Sequence, residues 1–386
     1  MTAPNNYRYT VFFVPTPNFT GLLAIPERPW TVGGTGQTCA ILTRALSRRG
    51  DTEIILLLDK PQDFSPNVPR VEARVLQSMI SRGVPYLSRK LNKNTEKNNF
   101  RHQGKQAIVF FSTSISPSLV SRIKAQHIPL AFWVNGDSLV DKSSLIPATA
   151  QKQNEGFLEF ANYIIAQNKY QQQKLQDIYG HDSTFLMPCL VEFPAMSTAK
   201  SNQDTSLTNR PTLLWAGRCS GVKRPWFLTQ LAQLIPELNF KLVMSQMTDN
   251  QYDRAIRLDL SRCPNVEVIN GLPHEELMNL YHEDIIVINT SASEGLPNTY
   301  IEAAQAQRPF VSLEVDLGGL LDDGFREESL GLCAHGDLNL MVQQIRKLAT
   351  DPERRLRIGR AASDYAYKQW NADKIAAQWI AFMDTL

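Results

Sequence analysis

The chain has 386 residues, 43% of them apolar and 20% charged, with a formal net charge of +2. That length exceeds one ordinary hydrophobic core and predicts two domains of a soluble globular protein. The near-neutral balance argues against a whole-molecule nucleic-acid binder, and no RNA-binding motif occurs, so no nucleic-acid partner is expected.

The first predicted strand is 9–14 (YTVFFV), followed by a long loop containing Pro, Asn and Gly. TVGGTG at 31–36 then leads into an amphipathic helix over 38–49, ended by Gly50. Strands over 53–58, 107–111, 129–134, 163–166 and 183–186 alternate with helices over 117–126, 151–161 and 169–179. That alternation predicts a parallel sheet covered by helices on both faces. The polar stretch 197–210 (STAKSNQDTSLTNR) has no apolar period and reads as a linker between domains 1–196 and 211–371. A second series follows, with strands over 212–216, 240–244, 266–269, 285–288 and 309–313. Its helices fall at 225–234, 274–281, 299–307, 338–349 and 352–370, before a final amphipathic helix over 372–386. The expected architecture is α/β, with two Rossmann-like doubly wound domains facing each other across a cleft, where open α/β sheets bind ligands.

The five cysteines, at 39, 189, 219, 263 and 333, are scattered without a CxxC or a nearby histidine, so free buried thiols in a reducing cytosol are expected. The opening MTAPNNYRY is polar, and apolar runs such as 54–58 fall far short of a membrane span. The expected location is cytoplasmic.

The most informative stretch is 291–308, SASEGLPNTYIEAAQAQR, which follows the buried strand 285–288. Gly295, Leu296, Pro297 and Asn298 form a turn into a helix, with Pro297 supplying a preset φ and Asn298 suited to a cap. A strand, a sharp loop and a helix N-terminus present backbone N–H groups to an anion. Glu294 in the loop and Glu302 one turn into the helix bracket that position. Two carboxylates beside a phosphate-binding helix end suit a ligand with central phosphates and hydroxyls at both ends, such as a nucleotide sugar. Upstream, 215–225 reads WAGRCSGVKRP: a strand ending at Ala216, a turn at Gly217, and Arg218 and Lys223 placed beside a helix start at Pro225. A cation pair there suits a diphosphate.

The pattern E-G-L-P-x-x-x-x-E-A, with seven residues between the glutamates, resembles the signature of the retaining glycosyltransferases of family 4, which have the GT-B fold. Gly217, Arg218 and Lys223 match that family's G-R-x-x-x-x-K, which implies donor pyrophosphate binding. Gly33 and Gly34 match a Gly-Gly that faces the donor phosphates and the acceptor. The resemblance implies that Glu294 meets the transferred sugar and Glu302 the ribose, with backbone N–H groups of Leu296, Pro297 and Asn298 assisting at the helix end. Where family members carry a histidine, this chain has Asn135 before Gly136 and Asp137. Asn135 can hydrogen-bond a sugar but cannot act as a base, and Asn135 and Asp137 fall on the acceptor side. Weaker matches are Asn168 and Tyr170 before a helix, 188–192 (PCLVE), and 314–319 (EVDLGG), the last resembling bacterial members that build surface polysaccharide. The C-terminal helix of such enzymes crosses back to the N-terminal domain, and 372–386 is expected to do so.

The implied activity is retaining transfer of a sugar from a nucleoside diphosphate to a sugar or lipid-linked glycan acceptor. No D-x-D occurs, and neither a metal nor another cofactor is expected. Segment 81–105 carries Arg82, Arg89, Lys90, Lys93, Lys97, Arg101 and Lys105 against one acid, Glu96. It reads either as a peripheral contact with anionic membrane at the inner face or as a solvated loop. Two rival readings remain. Gly34, Gly36 and Asp59 approximate a dinucleotide fingerprint of an NAD(P)-dependent oxidoreductase, although Cys39 stands for the third glycine and about twenty residues separate the strand from Gly36. A catalytically silent GT-B scaffold is the other.

Overall fold

The computed structural model describes residues 7–14, 34–58, 71–75, 105–111, 128–134, 155, 158–180, 183–190, 192, 210–245, 247, 250–317 and 330–386. Two wholly parallel sheets organise them.

The first sheet is built from β1 (Tyr9–Val14), β2 (Thr52–Leu58), β3 (Val71–Val75), β4 (Lys105–Phe110), β5 (Leu130–Trp133), β6 (Tyr163–Ala166) and β7 (Thr184–Leu186). Its order is β3-β2-β1-β4-β5-β6-β7. YTVFFV forms a central strand because both of its faces find apolar partners. Val11 and Phe13 enter one core while Phe12 enters the other, the alternation expected of a strand covered on both sides. Helix α1 (Gly34–Arg48) packs Cys39, Leu42 and Leu46 on the first of these cores. Helix α2 (Lys169–Tyr179) buries Leu175 in the second. Strand β3 was not expected from the sequence, and α1 begins four residues earlier than the predicted helix, at Gly34.

The second sheet comprises β8 (Thr212–Arg218), β9 (Phe240–Ser245), β10 (Val266–Ile269), β11 (Ile285–Asn289), β12 (Phe310–Ser312) and β13 (Leu332–Cys333), in the order β10-β9-β8-β11-β12-β13. Its helices are α3 (Trp226–Leu234), α4 (Gln251–Leu260), α5 (His274–Tyr281), α6 (Asn298–Gln305), α7 (Leu338–Ala349) and α8 (Pro352–Trp370). In β11 the run IIVIN is buried throughout, Ile286 and Ile288 on one face and Ile285 and Val287 on the other.

This order places a topological switch between β8 and β11. From β8 the chain builds outward through β9 and β10, then returns to add β11 on the opposite side. Ligand crevices of open α/β sheets lie at such a point, beyond the carboxyl ends of the strands.

Helix α9 (Ala372–Thr385) joins the N-terminal core. Trp370 packs in the C-terminal domain and Ala372 in the N-terminal one, so the chain changes domain at Asn371, whose side chain caps α9. Trp379 packs edge-on against Trp133 and stacks on Phe382, and Phe382 meets Phe185 and Tyr163. The Tyr9 hydroxyl donates to Asp384 at 2.7 Å. Burying each such large apolar side chain stabilises by about 2 kcal/mol, so α9 is an integral layer of the N-terminal domain. All five cysteines are free. No helix among the described residues is long and apolar enough to cross a membrane.

Candidate functional site

The loops after β8 and β11 are joined along their length. The Thr290 hydroxyl donates to the Lys223 carbonyl at 2.7 Å and accepts from the Trp215 indole at 3.1 Å. Ala292 N–H donates to the Val222 carbonyl at 2.9 Å. Arg224 donates to the carbonyls of Thr290 (2.8 Å) and Ser291 (3.0 Å) and pairs with Glu314 at 2.6 Å. Arg224 sits at φ 46°, which bulky side chains seldom adopt. Its anchors, together with contact over the Phe227 ring, hold it there.

This frame brings Lys223 against Glu294, two residues separated by 71 positions that the sequence singled out independently. The Lys223 ammonium donates to Glu294 Oε1, and the Ser291 hydroxyl donates to the same oxygen at 2.6 Å. Burial alone would raise the Glu294 pKa. Lys223, with Ser291 and Asn289, outweighs it and holds the carboxyl below its ordinary range. A charged, oriented carboxylate with an ammonium beside it can accept from hydroxyls and meet phosphate oxygens within one site.

Three local expectations are corrected. Strand β8 does not end at Ala216; it runs through Gly217 and Arg218, pairing with Met244 and Ser245 of β9. Gly217 makes no turn there. A Cβ at that position would lie 3.1 Å from the Trp215 ring, so the glycine admits the indole. Arg218 is exposed at the strand end, and a single 3₁₀ turn, Gly221–Lys223, intervenes before α3. Third, Pro297 is the N-cap of α6 and Asn298 its first helical residue, with no side-chain cap.

The turn at 295–298 also offers fewer free N–H groups than expected. Pro297 has no N–H to offer, and Leu296 N–H donates to Gln167 Oε1 at 3.3 Å. The N–H groups of Tyr300 and Ile301 bond to the Pro297 carbonyl, which leaves those of Asn298 and Thr299 without a partner among the described residues. Across the same turn, Asn168 Nδ2 donates to the Gly295 carbonyl at 2.9 Å. The N-terminal domain therefore grips the loop that carries Glu294.

Glu302 does not join Glu294. It is buried in α6 and meets His274, the first residue of α5, with Nε2 to Oε1 at 3.1 Å. The Glu302 carboxylate raises the His274 pKa, against burial and the positive field of Arg44 on α1. His274 carries no local mark of this role in the sequence, because its partner lies 28 positions away.

Glu192, read as a substitute for a family aspartate, is held by Arg44 at 2.7 Å and Arg48 at 2.8 Å, while its carbonyl accepts from Gln305 at 2.9 Å. It ties α1 to α6. Gly34 opens α1 and Gly36 lies inside its first turn, whereas a dinucleotide fingerprint needs those glycines in the turn before the helix. Gly33, Asp59, Asn135, Asp137, segment 81–104 and the linker residues 197–209 lie outside the described residues. Among the described residues, no group of three or more His, Cys, Asp or Glu side chains converges as a metal site would require.

The arrangement matches known structures over its whole length. Sucrose-phosphate synthase from Thermosynechococcus elongatus superposes with a TM-score of 0.71 at 17% identity, covering 98% of each chain. The fold is GT-B. HepE from Anabaena, in complex with UDP-glucose, gives 0.69 at 16% identity over 98% of this chain and 100% of that one. A glycosyltransferase from Rickettsia africae gives 0.66 at 14% identity, covering 98% of both. Residues 210–351, which contain Arg218, Lys223, Glu294 and Glu302, match the family model described as Glycosyl transferases group 1. No curated protein sequence matches the chain significantly.

Proposed function

We propose that this protein is a retaining, metal-independent glycosyltransferase that moves a sugar from a nucleoside diphosphate to a hydroxyl acceptor, in polysaccharide or glycolipid synthesis. The observation that carries this reading is the Lys223–Glu294 pair at the β8/β11 switch point, inside the region similar to group 1 glycosyl transferases. HepE and TarM from S. aureus, both of similar fold, have been crystallised with UDP, which makes UDP the first nucleotide to test.

In this mechanism Arg218 and Lys223 face the diphosphate and stabilise charge as the bond from the anomeric carbon to the phosphate oxygen breaks. Preorganised charge of that kind usually supplies the largest share of catalysis. Glu294 accepts from hydroxyls of the transferred sugar, Glu302 from the ribose, and the N–H groups of Asn298 and Thr299 add positive potential at the helix end. The acceptor oxygen bonds the anomeric carbon on the face the phosphate leaves, and its proton passes to the departing phosphate. The protein then needs no general base, which agrees with Asn135 standing where a histidine is common. The cations and the helix end carry the counter-charge that a metal would otherwise supply. The enzyme would work at the cytoplasmic side of a membrane, with the basic segment 81–105 meeting anionic lipid or a lipid-linked acceptor.

Calorimetric titration with UDP, GDP, ADP and NAD, using Lys223→Ala as control, tests the donor site. Binding of one nucleoside diphosphate, weakened at least tenfold in the variant, supports the reading. NAD binding alone would favour an oxidoreductase, and silence from all four a scaffold. The anomeric configuration of the product, read by NMR, tests retention.

A further inference from the structure

The N-terminal domain reaches the candidate donor loop through two buried amides rather than through apolar packing alone. Gln167 and Asn168, 4% and 2% exposed, follow β6 directly. Asn168 serves two structures at once. Its Oδ1 accepts from Gln171 N–H at 2.7 Å and caps α2, which leaves Nδ2 to donate to the Gly295 carbonyl at 2.9 Å. The cap therefore fixes which end of the amide faces the turn. Gln171, also buried, accepts from Gln167 N–H at 2.8 Å, and the Gln167 side chain accepts from Leu296 N–H at 3.3 Å. The network runs from β6 through the α2 cap to the C=O and N–H groups of a single peptide unit, Gly295–Leu296, 127 and 129 positions away. That unit stands between Glu294 and the first turn of α6. A buried amide left without its partner is costly, so the contact holds as a unit.

We infer that Asn168 and Gln167 are positioning residues that act from the opposite domain, fixing the Gly295–Leu296 backbone and hence where Glu294 and the α6 N-terminus meet the donor. This rests on the donor-site reading above. It adds to it that the donor site is completed only when the N-terminal domain is docked. Side chains of the turn are not read, since both contacts are to its backbone.

The separating variant is Asn168→Asp. Aspartate caps a helix as well as asparagine does, so α2 keeps its cap. The second oxygen, however, confronts the Gly295 carbonyl instead of donating to it. Hydrogen exchange followed by mass spectrometry is the first readout, because it needs no substrate. Peptides spanning Gly295 and Leu296 should exchange at least tenfold faster in Asn168→Asp and Gln167→Ala, with α2 and the β8–β13 sheet unchanged. Equal protection of the turn in both variants would overturn the inference even if the protein binds no nucleotide. The second readout is steady-state kinetics with the donor found by titration. Misplacement by about 1 Å costs up to about a hundredfold, so kcat/KM should fall about 10- to 100-fold in Asn168→Asp. Asn168→Gln, which retains an amide donor on a longer stem, should recover part of it. Wild-type kcat/KM in Asn168→Asp would overturn the inference while leaving Lys223 and Glu294 in place, whereas loss in Lys223→Ala alone bears only on the donor site.

Discussion

Glu294 and Glu302 flank the same turn, yet the protein holds them by different means. Glu294 has the Lys223 ammonium, a hydroxyl from Ser291 and a loop frame pinned by Arg224. Glu302 meets the imidazole of His274, whose side chain is 38% exposed, and lies beside the buried Tyr281 hydroxyl. The first carboxylate is locked in its charged form; the second has a partner whose charge depends on pH. The difference suits their proposed duties, one beside the bond that breaks and the other at the far end of the nucleotide.

The sharpest way to break this contrast is Lys223→Ala. Removing one partner of a largely buried pair strands the other charge, at a cost of about 3–5 kcal/mol. Urea unfolding should show that loss, and Lys223→Ala combined with Glu294→Gln should recover part of it. A loss under about 1 kcal/mol would mean that the pair is solvated. The next largest effect is expected from Gly359→Ala in α8. A Cβ there would stand 2.0 Å from the Gln307 carbonyl oxygen, just beyond α6. Backbone cannot yield as a flexible side chain does, so a cost of about 3 kcal/mol is expected. The displaced α6 should weaken donor binding through Glu302 while Glu294 stays paired.

The pH dependence separates the two arms by sign. Glu294 has a lowered folded pKa, so its contribution is present above the ordinary carboxylate pKa and disappears as pH falls through the folded value. His274 has a raised folded pKa, so its contribution is complete below 6.5 and is lost as pH rises through the folded value. Unfolding free energies measured from pH 4 to 9 should therefore show an acid limb abolished by Glu294→Gln. A shallower limb near and above neutrality should be abolished by His274→Gln. The smallest effect is His274→Gln itself, which should cost less than about 1 kcal/mol because water reaches the imidazole. Its kinetic mark should be a severalfold rise in donor KM with kcat nearly unchanged. A fall in kcat alone would place His274 at the reacting centre instead.

Much of this molecule was legible because its information is local. The spans 266–269, 274–281, 338–349 and 352–370 were read at the limits the structure gives them, since the apolar period of each is complete within its segment. The elements missed have weak local signals. VEARV in β3 and the two-residue β13 are the outermost strands of their sheets among the described residues. Helix α4, QYDRAIRLDL, is mostly polar and buries only Asp253, Ile256 and Leu260. In the site, Arg218, Lys223, Glu294 and Glu302 stood out by motif. Arg224 did not, because nothing in its neighbours signals a guanidinium spanning two carbonyls and Glu314.

The sequence by itself determined the two α/β units, the turn at 295–298 and the charged groups flanking it. Those depend on periodicity, backbone preference and charge over a dozen residues at a time. Tertiary structure decided the rest. Sheet order brought β8 beside β11 and so joined Lys223 to Glu294. The packing of α5 against α6 gave Glu302 its histidine. Docking of the N-terminal domain took the Leu296 N–H for Gln167. A hydrogen bond between residues 129 positions apart leaves no periodic trace in either segment, because each end satisfies only its own local rules.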